Sequence, residues 1–292
     1  MSSDGWRALI TAERLPESYA QIVARWWMPL AERIAARARA KAPPLFVGIS
    51  GAQGSGKSTV CRFLDSLLAE QGLRTATLSI DDFYLTHAER QALAREVHPL
   101  LATRGVPGTH DVALMAAAFD ALERRETPII RVPRFDKAQD DRAVPESWHE
   151  IATDVDVVLF EGWCVGAAPQ DEAALAEPIN PLERVEDAEG HWRRFVNAAL
   201  SGPYAALFAR LDLLVALLPP DFESVRANRA LQESKLAAGT GPDRRMDAAA
   251  LDRFLAHYQR ITLALMQRLP ASADIVVRLG PGQDILSLTA KA

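Results

Sequence analysis

The stretch LFVGISGAQGSGKST, Leu45 to Thr59, decides how the rest of the chain is read. Its first half, Leu45 to Ser50, is a short continuous apolar run, the pattern of a strand buried on both faces. Its second half, Gly51-Ala52-Gln53-Gly54-Ser55-Gly56-Lys57-Ser58, fits GxxxxGK[ST] and leads into residues that favour a helix. A buried strand before that motif and a helix after it are the context that gives the motif meaning. Glycines let backbone N–H groups curl around phosphate oxygens, and the helix N-terminus adds a positive dipole. Lys57 then reaches the β- and γ-phosphates and the Ser58 hydroxyl ligates Mg²⁺, with Thr59 completing the turn against the nucleotide.

Outward from this loop, apolar runs alternate with helical stretches. Residues 75–80, 128–132, 156–160, 213–218 and 274–279 read as strands, and 110–125, 191–210, 221–237 and 247–268 as helices. Tyr19, Ile22, Val23, Trp26, Trp27, Leu30 and Ile34 recur at steps of three and four, which predicts a helix over 16–41, bent at Pro29 and stopped at Pro43 and Pro44. Strands alternating with helices define an α/β chain: a three-layer P-loop NTPase fold, its sheet mostly parallel with helices on both faces. The expectation is one domain over 1–292, with a lid at about 221–245, a surface excursion at 166–190 and a mobile loop at 237–245. Ligands in such sheets bind at the carboxyl ends of the strands.

The composition narrows the partners. A net charge of −5 over 292 residues lacks the cationic surplus that nucleic acid or an anionic membrane selects, so a small molecule is expected. No apolar run reaches the ~20 residues of a membrane span. The acids near the N-terminus do not fit a transit peptide, and the N-terminal stretch is expected to belong to the fold. Cys61 and Cys164 have no metal-ligand spacing and read as buried packing residues in a reducing cytoplasm. Oligomeric state is not legible.

Three strand ends carry the candidate chemistry. Glu161, in Asp156-Val157-Val158-Leu159-Phe160-Glu161-Gly162, is placed as the acid on Mg²⁺ or its water. Asp81 and Asp82 follow the run 75–80, and two adjacent carboxylates there need a ligand, metal or donor. Asp81 is the candidate for orienting an acceptor hydroxyl and taking its proton; Asp82 is left to Mg²⁺, the acceptor or a cap of the next turn, with Tyr84 beside them. Arg104 and His110 lie on the Gly/Pro-stiffened loop Arg104-Gly105-Val106-Pro107-Gly108-Thr109-His110-Asp111, ahead of a helix that Thr109 or Asp111 caps. Arg134, Lys137 and Arg142 follow the run 128–132. Such cations in an acidic chain point to an anionic acceptor, because guanidinium and ammonium groups match a carboxylate or phosphate. Arg226, Arg229, Gln232 and Lys235 fall at helical steps suited to a lid over the phosphates.

Taken in order, GISGAQGSGKST, SIDDFYLT, RGVPGTHD, VPRFDKAQDDRA with Trp148, and LFEGWCVG resemble the plant-type D-glycerate 3-kinases and their bacterial and fungal relatives. These stand within the larger group of phosphoribulokinase, uridine kinase and pantothenate kinase. The resemblance runs over roughly residues 20–280 and implies a P-loop kinase using ATP and Mg²⁺ to make 3-phosphoglycerate. It further implies Lys57 and Ser58 on nucleotide and metal, Asp81 as the catalytic Asp of the uridine kinase type, and Arg229 with Gln232 and Glu233 in a lid pattern. Asn228 departs from that pattern, standing where Trp is expected. The alternatives are a kinase of pantothenate, a nucleoside or a sugar, and a non-catalytic ATP-binding protein. A GTPase would need an NKxD motif and an ABC ATPase a signature like LSGGQ, and the chain has neither.

Overall fold

In the computed structural model, residues 5–237 and 247–291 are described, side chains excepted at 233–237. Ten strands are present among them: β1 Leu45–Gly51, β2 Thr75–Ser79, β3 Ile129–Val132, β4 Phe135–Asp136, β5 Asp141–Arg142, β6 His149–Ala152, β7 Val157–Gly162, β8 Leu213–Leu218, β9 Ile275–Leu279 and β10 Ile285–Ala290. Six of these form the main sheet in the order β10-β9-β8-β1-β7-β2. All its neighbours are parallel except β10, which folds back against β9.

Alternation along the central strands produces three layers. On β1, Leu45, Val47 and Ile49 face one side, where they pack with Val23, Trp27 and Ile34 of the N-terminal helices and Phe63 and Leu64 of the helix Lys57–Glu70. Phe46 faces the other side, with Phe119 of the helix Val112–Arg124 and Leu265 of the helix Ala248–Ser272. Every residue of β1 and β7 is buried, which is why both read as unbroken apolar runs. No helix among the described residues is long and apolar enough to cross a membrane.

Several expectations change. The run 128–132 is a strand, but β3 pairs antiparallel with β6 outside the main sheet and half of its side chains are exposed. The stretch 166–190 lies mostly at the surface, as expected, but it is anchored. Its short helices Glu172–Leu175 and Pro181–Glu186 bury Leu175, Leu182 and Glu183, and Glu183 takes two hydrogen bonds from Arg260, at 2.7 and 2.6 Å. The expected helix 16–41 is Tyr19–Ile22, a π-turn Val23–Trp27 and Met28–Arg39 in one continuous helical path, with Pro29 directly after the π-turn, where the widened turn takes up the missing N–H. The loop expected at 237–245 lies outside the described residues from 238 onward, as does that part of the lid.

Candidate active site

Parallel register brings the key residues to one edge. Ile49 of β1 sits opposite Glu161 of β7, and Glu161 opposite Ser79 of β2. The phosphate loop, Glu161 and the Ile80–Phe83 turn therefore leave three adjacent strands at the same level. They open onto a cleft of about 910 Å³ whose walls include Lys57, Ser58, Asp81, Asp82, Glu161 and Arg229.

The loop has the conformation its sequence requires. Gly54 and Gly56 have φ of 75° and 84°, in the left-handed region. A Cβ on Gly54 would also stand 3.2 Å from the backbone of Asn228, so the helix Phe222–Ala237 rests directly on the loop. Asn228 is buried at that contact, which is the place of the expected Trp. Lys57 Nζ donates to the carbonyl of Ala52 at 3.1 Å, and the Ser58 hydroxyl donates to Glu161 Oε1 at 3.1 Å. The Ser58–Glu161 pair presents two hard oxygens side by side. This donor set suits Mg²⁺, which takes few protein ligands and keeps phosphate oxygens and waters.

Asp81 is held from both sides. Tyr84 OH donates to its Oδ1 at 2.9 Å and Lys137 Nζ to its Oδ2 at 2.8 Å. Burial alone would raise this carboxyl, but the Lys137 ammonium, the two hydrogen bonds and the charge of Lys57 outweigh it and hold it below the usual carboxylate range. Asp82 goes the other way, because burial outweighs the hydrogen bond it accepts from the Phe135 N–H at 3.2 Å. Two adjacent acids thus have separated roles: Asp81 ionised at the cleft, Asp82 pinning β4.

The remaining candidates divide. Lys137 and Arg104 reach the cleft; Arg104 is engaged by Asp140 and lies 5.3 Å above the Phe135 ring. Arg229 reaches it too, bonded to Gln232 at 2.9 Å and stacked 5.0 Å from the Phe254 ring centroid. Arg142 does not line it. Its guanidinium is spent on the Tyr84 carbonyl and Asp111, tying β5 to the Asp81 turn. Arg134 is exposed and away from the cleft. His110 is a support: its Nδ1 lies 2.6 Å from Tyr204 OH, its ring stacks on Tyr84 at 4.5 Å, and burial lowers its pKa to about 4, leaving it neutral. Asp111, not Thr109, caps the following helix by accepting from the Leu114 N–H. Arg226 faces Asp252 and Glu223 rather than the phosphate loop.

Sequence reading missed part of the wall. Phe254 and Tyr258, one turn apart on Ala248–Ser272, line the cleft, and Tyr258 packs edge-on against Trp163 at 4.8 Å. Their i, i+4 spacing is visible in sequence but is also that of an ordinary core face. Gln283 reaches the cleft from the tight turn between β9 and β10, with φ of 66°. A second cavity of about 340 Å³, beside Trp192 and Ile261, contains no residue of the phosphate loop.

A phosphate loop, a serine–carboxylate pair beside it and an ionised carboxylate across the same cleft define the phosphotransferases of the P-loop class. A model of the Phosphoribulokinase / Uridine kinase family matches residues 46–168. An uncharacterized kinase of Schizosaccharomyces pombe is 35% identical over 202 residues, 67% of this chain and 72% of that protein. The chloroplastic D-glycerate 3-kinase of Arabidopsis thaliana is 37% identical over 173 residues, and the match spans 53% of this chain but only 37% of that protein. Among solved structures, D-glycerate 3-kinase from Cryptococcus neoformans var. grubii superposes with a TM-score of 0.76 at 26% identity, over 90% of this chain and 97% of that one. The chain belongs to the glycerate kinase-like P-loop kinases, within the phosphoribulokinase and uridine kinase group.

Proposed function

We propose that the protein transfers the γ-phosphate of ATP to the 3-hydroxyl of D-glycerate, giving 3-phosphoglycerate and ADP. The observation that carries the reading is Asp81: an ionised carboxylate, held by Tyr84 and Lys137, facing the cleft that the phosphate loop also lines. The described residues act as one kinase domain, with Phe222–Ala237 as the near part of its lid, on a small-molecule substrate in the cytoplasm.

Backbone N–H groups of Gly51–Ser58 receive the β- and γ-phosphates, and Lys57 leaves the Ala52 carbonyl to join them. Ser58 and Glu161 would hold Mg²⁺, which supplies charge neutralisation at the phosphate oxygens. Asp81 orients the acceptor hydroxyl and takes its proton as the oxygen attacks the γ-phosphorus in line, so that positioning and charge stabilisation supply most of the catalysis. Arg104 and Lys137 provide positive charge for a carboxylate at the acceptor end of the cleft. Phe254 and Tyr258 exclude water from the wall of the same cleft.

The test is ADP release by purified protein with Mg²⁺ and ATP against D-glycerate, L-glycerate, pantothenate, uridine and ribulose 5-phosphate. Stimulation by D-glycerate above all others is expected; stimulation by pantothenate or uridine in its place would move the assignment to those kinases.

A further inference from the structure

The hairpin β4–β5 has an anchored backbone and carries the exposed Lys137 at its rim. Asp82 accepts from the Phe135 N–H, Asp141 accepts from the His87 N–H at 2.8 Å, and the fully buried Arg90 donates to the Asp140 carbonyl at 2.5 Å and to its carboxylate at 3.0 Å. Against this anchored frame, the Lys137 side chain is 62% exposed, and among the described residues it bonds to Asp81. The other cations of the cleft bond elsewhere: Arg104 to Asp140, Lys57 to the Ala52 carbonyl, Arg229 to Gln232. Lys137 therefore occupies Oδ2 of the very carboxylate that must accept the substrate proton, while Tyr84 occupies Oδ1.

We infer that Lys137 is a displaceable latch on Asp81, drawn off Oδ2 by the carboxylate of an anionic acceptor, so that the base is released only when such an acceptor is in the cleft. This rests on the glycerate reading above and adds how that site rejects neutral alcohols. A lysine suits the task, since its ammonium is a compact charge on a flexible stem and swings between two carboxylates without moving the backbone. Once Lys137 has moved to the acceptor carboxylate, Oδ2 accepts the acceptor O–H proton. The acceptor oxygen forms its bond to the γ-phosphorus, the bond from that phosphorus to the β,γ-bridging oxygen breaks, and its electron pair leaves on ADP. The proton on Asp81 passes to solvent and Lys137 returns. A neutral polyol offers the ammonium no competing negative charge, so the latch stays shut against it.

The test compares D-glycerate with glycerol, which has the hydroxyls but no carboxylate, in wild type, Lys137→Met and Lys137→Arg. An exposed Lys137 makes Met a safe replacement for folding, checked by thermal melting. In Lys137→Met, the KM for glycerate is expected to rise about 10- to 100-fold, the range of a charge-assisted hydrogen bond, while kcat/KM for glycerol rises several-fold because the base is freed. The preference for glycerate over glycerol then collapses, and Lys137→Arg restores part of it. A preference within about threefold of wild type in Lys137→Met, or an equal loss of kcat/KM on both acceptors, overturns the latch. Wild-type protein that ignores glycerate but phosphorylates another acceptor overturns the substrate reading itself, a separate outcome.

Discussion

Replacing Asp81 by Asn changes one atom type and removes one charge, which makes it the sharpest probe of the cleft. Its Oδ1 hydrogen bond from Tyr84 survives, because an amide oxygen still accepts it. What is lost is the ion pair with Lys137, and both partners are solvent-accessible, at 34% and 62% of their side chains. Pairs so exposed contribute at most about 1 kcal/mol, so the melting temperature is expected to move by no more than about 2–4 °C. Catalysis is affected far more. A positioned general base contributes roughly 10²–10⁴ in rate, or about 3–5 kcal/mol of barrier. ATP affinity stays near wild type, since Lys57, Ser58 and Glu161 are untouched. The assay is a coupled measurement of ADP release at saturating ATP and acceptor, with calorimetric titration of ATP and a thermal melt on the same preparation. A kcat within fivefold of wild type, with ATP still bound, would refute the assignment of Asp81 as the base.

Four further outcomes are expected. Activity should persist as pH falls through the usual carboxylate range, because Lys137 holds the Asp81 carboxyl below it and the ionised form is the active one; Lys137→Met should move that acid limb upward in a kcat/KM–pH profile. Ser58→Ala removes one of the two oxygens paired beside the phosphate loop and should lower kcat/KM about 10- to 100-fold, with a rise in the Mg²⁺ concentration needed for half-maximal rate. Gly105→Ala places a Cβ 2.1 Å from Tyr258 OH at a φ of 139°, and should cost about 2–4 kcal/mol in denaturant unfolding while displacing Tyr258 from the cleft wall. Arg260→Met leaves the fully buried Glu183 carboxylate without its partner and should cost about 3–5 kcal/mol, read as a melting temperature lower by on the order of 10 °C.

Sequence alone determined the frame of this protein, because the frame rests on local and periodic signals. Apolar runs of strand length, glycines at Gly54 and Gly56 where φ is positive, and Lys57-Ser58 opening a helix are written in consecutive residues. The acids Asp81 and Glu161 were legible for the same reason: each sits just past its own apolar run, and strand ends in a parallel sheet face the ligand. The tertiary structure decided everything that depends on which cation meets which acid. Arg134, Lys137 and Arg142 look alike as sequence, yet β4–β5 pairing sends Arg142 to the Tyr84 carbonyl, leaves Arg134 exposed and delivers Lys137 alone of the three to Asp81. The run 128–132 pairs along its edge with β6 outside the main sheet and packs Ile130 and Val132 on the core, and periodicity within the run does not reveal which strand it meets. Tyr258, Phe254 and Gln283 entered the cleft from more than a hundred residues beyond the Asp81 turn, through a helix packing and a hairpin turn that no local pattern encodes. Distant contacts of this kind are fixed by the burial of whole faces against one another, a property of the assembled layers and not of any segment.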